Sequence, residues 1–265
     1  MLPEPKGTGT VGKALSVLDD VAAFERPIRF SEILATSSFP KGSLYRFLQN
    51  LTNEGMLSYD PKQQTYSLGV RLVRLAHAAW AQSSMAPVAR PYLDALSEKI
   101  GETIHLAQLD NAHVLYVDKR NAKNPVEMFS QAGKIGPAYC TGVGKAMMAF
   151  LPEAQLNRIL PQQSYHRFTQ GTLCSEQELC AELKAIQGRG YAFDREEHEP
   201  GIICVAVPIL TAAQQTMGAI SVTSSTTTNT LKQLEQLVPQ MREATQRIAR
   251  EAEYWRFPSE QKPMK

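Results

Sequence analysis

From Pro200 to Leu231 the chain carries no charged side chain. A stretch of that length either crosses a bilayer or is buried within a protein core. Thr211, Gln214, Gln215 and Thr216 interrupt it, and Ser221 to Thr228 is almost wholly Ser and Thr, so a membrane span is excluded. Two β-branched runs, 202–210 and 217–223, joined by a short polar connection, predict two buried strands instead. Met1 to Thr10 holds two prolines, two glycines and no apolar run of the secretory kind. Cys140, Cys174, Cys180 and Cys204 contain no Cys-x-x-Cys pair and no metal-type spacing, so they read as reduced thiols, mostly core filler. The expectation is a soluble, cytoplasmic protein with no membrane partner, no metal and no cofactor. Hydrophobic residues at 43% sustain a core, and the formal charge of +2 gives no whole-chain sign of a nucleic-acid partner.

The N-terminal third has a different pattern. Val11, Ala14, Leu15, Leu18, Val21 and Ala22 recur at helical spacing until Pro27. Ser31 is placed to cap a short helix to Thr36, and Ser37, Ser38 and Phe39 form a tight turn. Pro40 stands where a first helical residue belongs, and the next helix runs to about Asn53 with Gly55 just beyond. Runs 56–59 and 65–68, joined by Asp60, Pro61, Lys62, Gln63 and Gln64, predict a hairpin. Helix, short helix, turn, helix and hairpin is the layout of a winged helix-turn-helix. Its second helix exposes Lys41, Ser43, Tyr45, Arg46 and Gln49 between apolar positions, side chains that bond phosphates or base edges. A small helical bundle with a solvated polar face fits the same pattern. The whole excess of charge lies here: residues 1–75 hold nine basic and seven acidic side chains, and the rest of the chain is balanced.

Residues 70–86 predict a further helix whose wide apolar surface, including Trp80, is more than a linker needs and points to a partner chain. Pro87 and Pro91 precede a helix ending near Gly101. Strands follow at 103–109, 114–118 and 126–132, helices at 142–151, 153–160 and 175–188, strands at 191–194, 202–210 and 217–224, and one final helix at 230–252. This is an α+β arrangement around one mainly antiparallel sheet.

Motifs in this order resemble the IclR family of bacterial transcriptional regulators. They are Pro40-Lys41-Gly42-Ser43-Leu44-Tyr45-Arg46-Phe47-Leu48, Tyr66-Ser67-Leu68-Gly69, Gly101-Glu102-Thr103-Ile104-His105-Leu106, Tyr116-Val117-Asp118-Lys119 and Cys140-Thr141-Gly142-Val143-Gly144-Lys145-Ala146. The series ends with residues 190–201 and Cys204-Val205-Ala206-Val207-Pro208. The resemblance implies a winged helix-turn-helix DNA-binding domain at 1–69, a linker helix at 70–86, a GAF-like effector-binding and oligomerisation domain at 87–255 and a tail at 256–265. It implies double-stranded operator DNA and a small-molecule effector as partners, and a homodimer or dimer of dimers. One departure is visible: the family usually has Ser then Thr after the Pro-Lys, where this chain has Gly42-Ser43. Gly42 brings no side chain to DNA and weakens the helix by about 1 kcal/mol relative to Ala.

Catalytic signatures fail. Gly144-Lys145 lacks the other residues of a phosphate loop, since Tyr139 and Ala146 hold the decisive positions. No Gly-x-Ser-x-Gly elbow exists. Cys140 with His105 is the one thiolate–imidazole pairing to weigh, against buried filler for Cys140. The acidic run around His198 reads as a solvated loop, although the resemblance places it over the effector pocket. The pocket implied by the resemblance draws on Thr141, Gly142 and Val143 at a helix start, on Asp194 with Cys204, and on Ser221 and Thr223. The last two share a face because they are two apart on a strand. Hydroxyls, backbone donors and one acid against apolar walls suit a small organic acid or hydroxylated metabolite. The expected function is an effector-responsive repressor of a catabolic operon, not an enzyme. The alternative is a small-molecule sensor or thiol enzyme whose winged helix is a protein-interaction module.

Overall fold

The computed structural model describes residues 9–83 and 85–254. The chain divides into two compact units, Met1–Gln82 and Ser83–Lys265. The tail 256–265 and the side chain of Trp80 lie outside the described residues.

The first unit contains α1 (Thr10–Ala22), β1 (Ile28–Arg29), α2 (Phe30–Thr36), α3 (Lys41–Asn53), β2 (Leu57–Asp60), β3 (Thr65–Leu68) and α4 (Val70–Ser83). Val17, Val21, Ile33, Leu44, Leu48 and Leu57 form its core, one apolar stripe from each element. The hairpin is joined by β1 in a three-stranded antiparallel sheet of order β1-β3-β2, with Ile28 opposite Tyr66 and Arg29 opposite Thr65. Two residues after Pro27 are too few to show a period, so this strand has no signature in the sequence. Ser31 is not the cap expected of it. α2 begins at Phe30 with Arg29 in the cap position, two residues before Ser31, and Glu32 closes its first turn by accepting the Arg29 N–H at 2.9 Å. Pro40 likewise sits just before α3 as its N-cap rather than as its first residue. Arg71 ties the start of α4 to the end of α3, donating to the Glu54 carbonyl and carboxylate at 2.7 Å each. Val70, Val73 and Leu75 of α4 are exposed. The helix expected over 70–86 stops at Ser83, and a new one starts at Ala86.

The second unit begins with that helix, α5 (Ala86–Ile100). Pro87 and Pro91 fall within α5 rather than before it: Pro87 fits the first turn, where no amide partner is needed. Then come β4 (Thr103–Asp110), β5 (His113–Arg120), β6 (Ile135–Pro137), α6 (Gly142–Met148), α7 (Glu153–Ile159), α8 (Glu176–Arg189), β7 (Ala192–Arg195), β8 (Ile202–Leu210), β9 (Thr216–Ser225), α9 (Leu231–Glu235) and α10 (Val238–Tyr254). The six strands form one antiparallel sheet of order β6-β5-β4-β9-β8-β7. β8 and β9 are the charge-free stretch, paired side by side and buried almost throughout. α5 and α10 pack together and against the sheet, whereas α6 meets strands β4, β5, β7, β8 and β9 and is backed by α8. Among the described residues no helix is long and apolar enough to cross a membrane.

Two expected elements are corrected. Residues 126–132 are not a strand; β6 lies further on and the segment is coil. Its alternation is real, with Met128 and Ser130 buried and Phe129 exposed, but it reports one-sided burial without a neighbouring strand to complete a ladder. The final helix is two helices. Pro239 is the cause: its ring would collide with the Glu235 carbonyl in a continuous helix, and α9 ends at Glu235.

Candidate functional site

In the first unit, Leu44, Leu48 and Leu51 bury one face of α3 and leave Lys41, Ser43, Tyr45, Arg46 and Gln49 exposed. The turn before it is fixed by the Phe39 N–H donating to Ser37 Oγ at 3.2 Å and by edge-on packing of Phe39 and Phe47, 5.5 Å apart. Gln49 Nε2 donates to the Tyr45 hydroxyl at 3.3 Å, so these two side chains act as one surface. Lys62 stands exposed at the hairpin tip, where Asp60 Oδ1 accepts its backbone N–H at 2.8 Å and that of Gln63 at 3.2 Å.

In the second unit, sheet register builds a polar row. Asp194 lies opposite Cys204, Cys204 opposite Thr223, and His105 opposite Ser221. On this face the strands carry small or polar residues, while their alternate positions Ile104, Val205, Val207, Ile220 and Val222 fill the opposite core. The start of α6 closes over the row at Thr141, Gly142 and Val143. Only glycine permits this approach: a Cβ at Gly142 would lie 2.4 Å from Cys204 Sγ. The result is a cavity of about 30 Å³, space for a water or two. All seven residues singled out from the sequence line it: Thr141, Gly142, Val143, Asp194, Cys204, Ser221 and Thr223.

His105 occupies its centre. Nε2 lies 2.9 Å from Ser130 Oγ, and Nδ1 lies 3.3 Å from Thr223 Oγ1 and 3.4 Å from Ser221 Oγ. Burial, reinforced by Lys119, lowers the imidazole to about 3, so it is neutral and offers one donor and one acceptor to the hydroxyls around it. Burial, with Glu197 nearby, raises Asp194 to about 7, so near neutrality it is partly protonated.

Residues 196–201 cover the cavity, and they are not the solvated loop that their charges suggested. Glu197 is buried and paired with the fully buried Lys145 of α6. Thr169 and Thr172 donate to the carbonyls of Glu196 and Glu197, each at 2.6 Å, and Asp194 Oδ1 accepts the Glu197 N–H at 2.8 Å. Glu199 accepts the Phe129 N–H at 3.1 Å. Burial would raise this carboxyl, yet His198 and the Phe129 amide bring it below its ordinary value. The His198 ring packs against Phe129 and Phe168 at 5.2 and 4.8 Å.

Family models match both units: the IclR helix-turn-helix domain over residues 10–61, and the C-terminal domain of bacterial transcriptional regulators of the IclR type over residues 77–250. The chain belongs to the IclR family. It is a DNA-binding transcriptional regulator, and its relatives carry the names of regulators rather than enzymes. The HTH-type transcriptional regulator XynR of Escherichia coli K12 is 31% identical over 217 residues, covering 82% of this chain and 86% of XynR. The IclR crystal structure from Thermotoga maritima has a TM-score of 0.74 at 27% identity, covering 91% of this chain and 98% of that one. An IclR homologue from Microbacterium hydrocarbonoxydans, solved in complex with 4-hydroxybenzoate, has a TM-score of 0.80 at 20% identity and covers 93% of this chain and 100% of its own; it shares the fold.

For this IclR-family chain, the cavity residues His105, Tyr116, Ser130 and Ile202 were not expected as pocket lining, whereas His198 and Glu199 belong to the run that the resemblance places over the pocket. His105 had a usable signal, a polar residue in the otherwise apolar strand 104–107. Ser130 had none, because it arrives on coil. The pairing of Cys140 with His105 is not formed: the imidazole nitrogens face Ser130, Ser221 and Thr223. Burial, with Asp194 next, pushes both the Cys140 and Cys204 thiols up, away from thiolate character. Cys140 fills the core and Cys204 is buried at the cavity wall, whereas Cys174 is half-buried and Cys180 exposed, so the cysteines are not mostly core filler.

Proposed function

We propose that this regulator is a repressor of a catabolic operon, released from its operator by a small organic acid or hydroxylated metabolite. The observation that carries this reading is the convergence of hydroxyls, a neutral imidazole and a carboxyl from β4, β7 and β9 on one cavity, which holds a water or two as it stands and widens to admit a larger ligand. Ser221, Thr223 and His105 suit a hydroxyl or carbonyl oxygen; Thr141, Gly142, Val143, Asp194 and Cys204 surround the remainder. Lys41, Arg46 and Lys62 contact phosphates, while Ser43 and Tyr45 face base edges, with Gln49 beside Tyr45 on the same DNA-binding surface. The protein acts as a homodimer or dimer of dimers, with the apolar surface of α4 meeting a second copy. Two recognition helices then enter successive major grooves, so the operator is a near-palindrome with half-sites about one turn apart. The effector shifts the paired DNA-binding domains between two arrangements through the 70–86 region, which requires different affinity for each arrangement.

The test is retention of the DNA upstream of its own gene at two salt concentrations. Specific retention that weakens with salt is expected. Folded protein that retains no fragment of its genomic neighbourhood overturns the reading.

A further inference from the structure

The first unit holds a second concave surface, between the start of α3 and the hairpin, with a volume of about 760 Å³. Arg29 and Lys41 stand on it, Tyr45, Tyr59 and Tyr66 supply aromatic walls with hydroxyls, and Gly42 leaves part of the wall bare. Its lining contains two cations and no acid.

Arg29 is the unexpected member. The position before a helix favours Ser, Thr, Asp or Asn, whose side chains accept a hydrogen bond from the first turn; a guanidinium cannot accept one. Here Glu32 closes the turn by accepting the Arg29 backbone N–H, and its other oxygen is held by Arg26 at 2.6 Å. The capping role therefore does not involve the Arg29 side chain. Arg29 is exposed and forms no ion pair among the described residues, whereas Arg26 is engaged. Its backbone is fixed by pairing with Thr65 of β3, so the cation is mounted on the hairpin's own sheet. Tyr59 and Tyr66 pack 4.9 Å apart behind it, and Phe30 meets Tyr45 edge-on at 6.1 Å. A Cβ on Gly42 would meet nothing within 4 Å, so that glycine borders open space rather than packed protein.

Resting on the DNA-binding reading, we infer that this groove seats the sugar–phosphate backbone of one DNA strand, with Arg29 and Lys41 as its phosphate-binding cations. A phosphodiester matches the site in charge and in its need for several donors, and the bare wall at Gly42 gives the backbone room to approach. Arg29 is thus a DNA contact that belongs neither to α3 nor to the hairpin tip.

The experiment is fluorescence anisotropy of the full chain on a labelled duplex from its own upstream region, across a salt series. Arg29→Ala is expected to weaken binding several-fold and to reduce the salt slope by about one phosphate contact, with Arg29→Lys retaining the slope. Gly42→Leu is expected to melt at or above the wild-type temperature, because Leu favours helix and finds open space, while losing most DNA affinity. Wild-type binding that persists unchanged in both Arg29→Ala and Gly42→Leu overturns the inference. So does weaker binding of Arg29→Ala with an unchanged salt slope, which marks a merely structural effect. A wild-type protein that binds no duplex overturns the DNA-binding reading itself, a result distinct from either.

Discussion

The exposed face of α3 and the cavity of the second unit use similar side chains under opposite conditions. Lys41 and Arg46 stand in water, where a cation costs little and contributes little to stability. Lys145 is fully buried, where a cation is tolerable only with the Glu197 carboxylate beside it. The lesson is that recognition and stability are separable on α3, but share the same residues around the cavity. Lys145 and Glu197 fasten residues 196–201, and those residues bring His198 and Glu199 to the cavity.

The most severe way to sharpen this contrast is to break the buried pair. Lys145→Met leaves Glu197 buried without its countercharge and is expected to cost about 3–5 kcal/mol in urea unfolding of the second unit. Adding Glu197→Met should recover much of that loss, and a double variant no better than the single one breaks the account of the pair.

Asp194 gives the next largest effect, and its sign follows from linkage. Burial and then Glu197 raise its folded value from 3.8 to about 7. Between roughly pH 4 and 7 the folded protein therefore holds a proton that the unfolded chain has released, so stability falls as pH rises through that window. Asp194→Asn removes this slope. It should match the wild type near pH 4 and exceed it above pH 7, by up to about 4 kcal/mol. A stability difference independent of pH contradicts the raised value. Arg46→Ala is the smallest perturbation of folding, expected to change stability by no more than about 0.5 kcal/mol while weakening DNA binding. A large drop in melting temperature would show that α3 does not separate recognition from stability.

This same contrast explains what could be read from the sequence. The α3 surface lies on one continuous element, so the spacing of Leu44, Leu48 and Leu51 leaves its exposed residues evident. The cavity draws from five strands, two loops and a helix start, so periodicity within any one of them sees only a fragment. Ser221 and Thr223 were legible as a pair because they are two apart on β9, but their meeting with His105 depends on antiparallel register across β4 and β9. Family motifs supplied Thr141, Gly142, Val143, Asp194 and Cys204. Nothing local announced Ser130, whose segment docks through side chains without strand pairing, or the burial of Glu197 in a run of acids that looked solvated.

The most direct measurement of the central claim joins the two regions in one assay. Protein bound to its upstream DNA is titrated with each intermediate of the pathway encoded beside its gene, for the wild type and for Thr223→Val. The expected result is that one hydroxylated or acidic intermediate releases the wild type, and that Thr223→Val needs a markedly higher concentration relative to its own DNA affinity. Release of both proteins at the same concentration, or of neither by any intermediate, contradicts the cavity as the effector site.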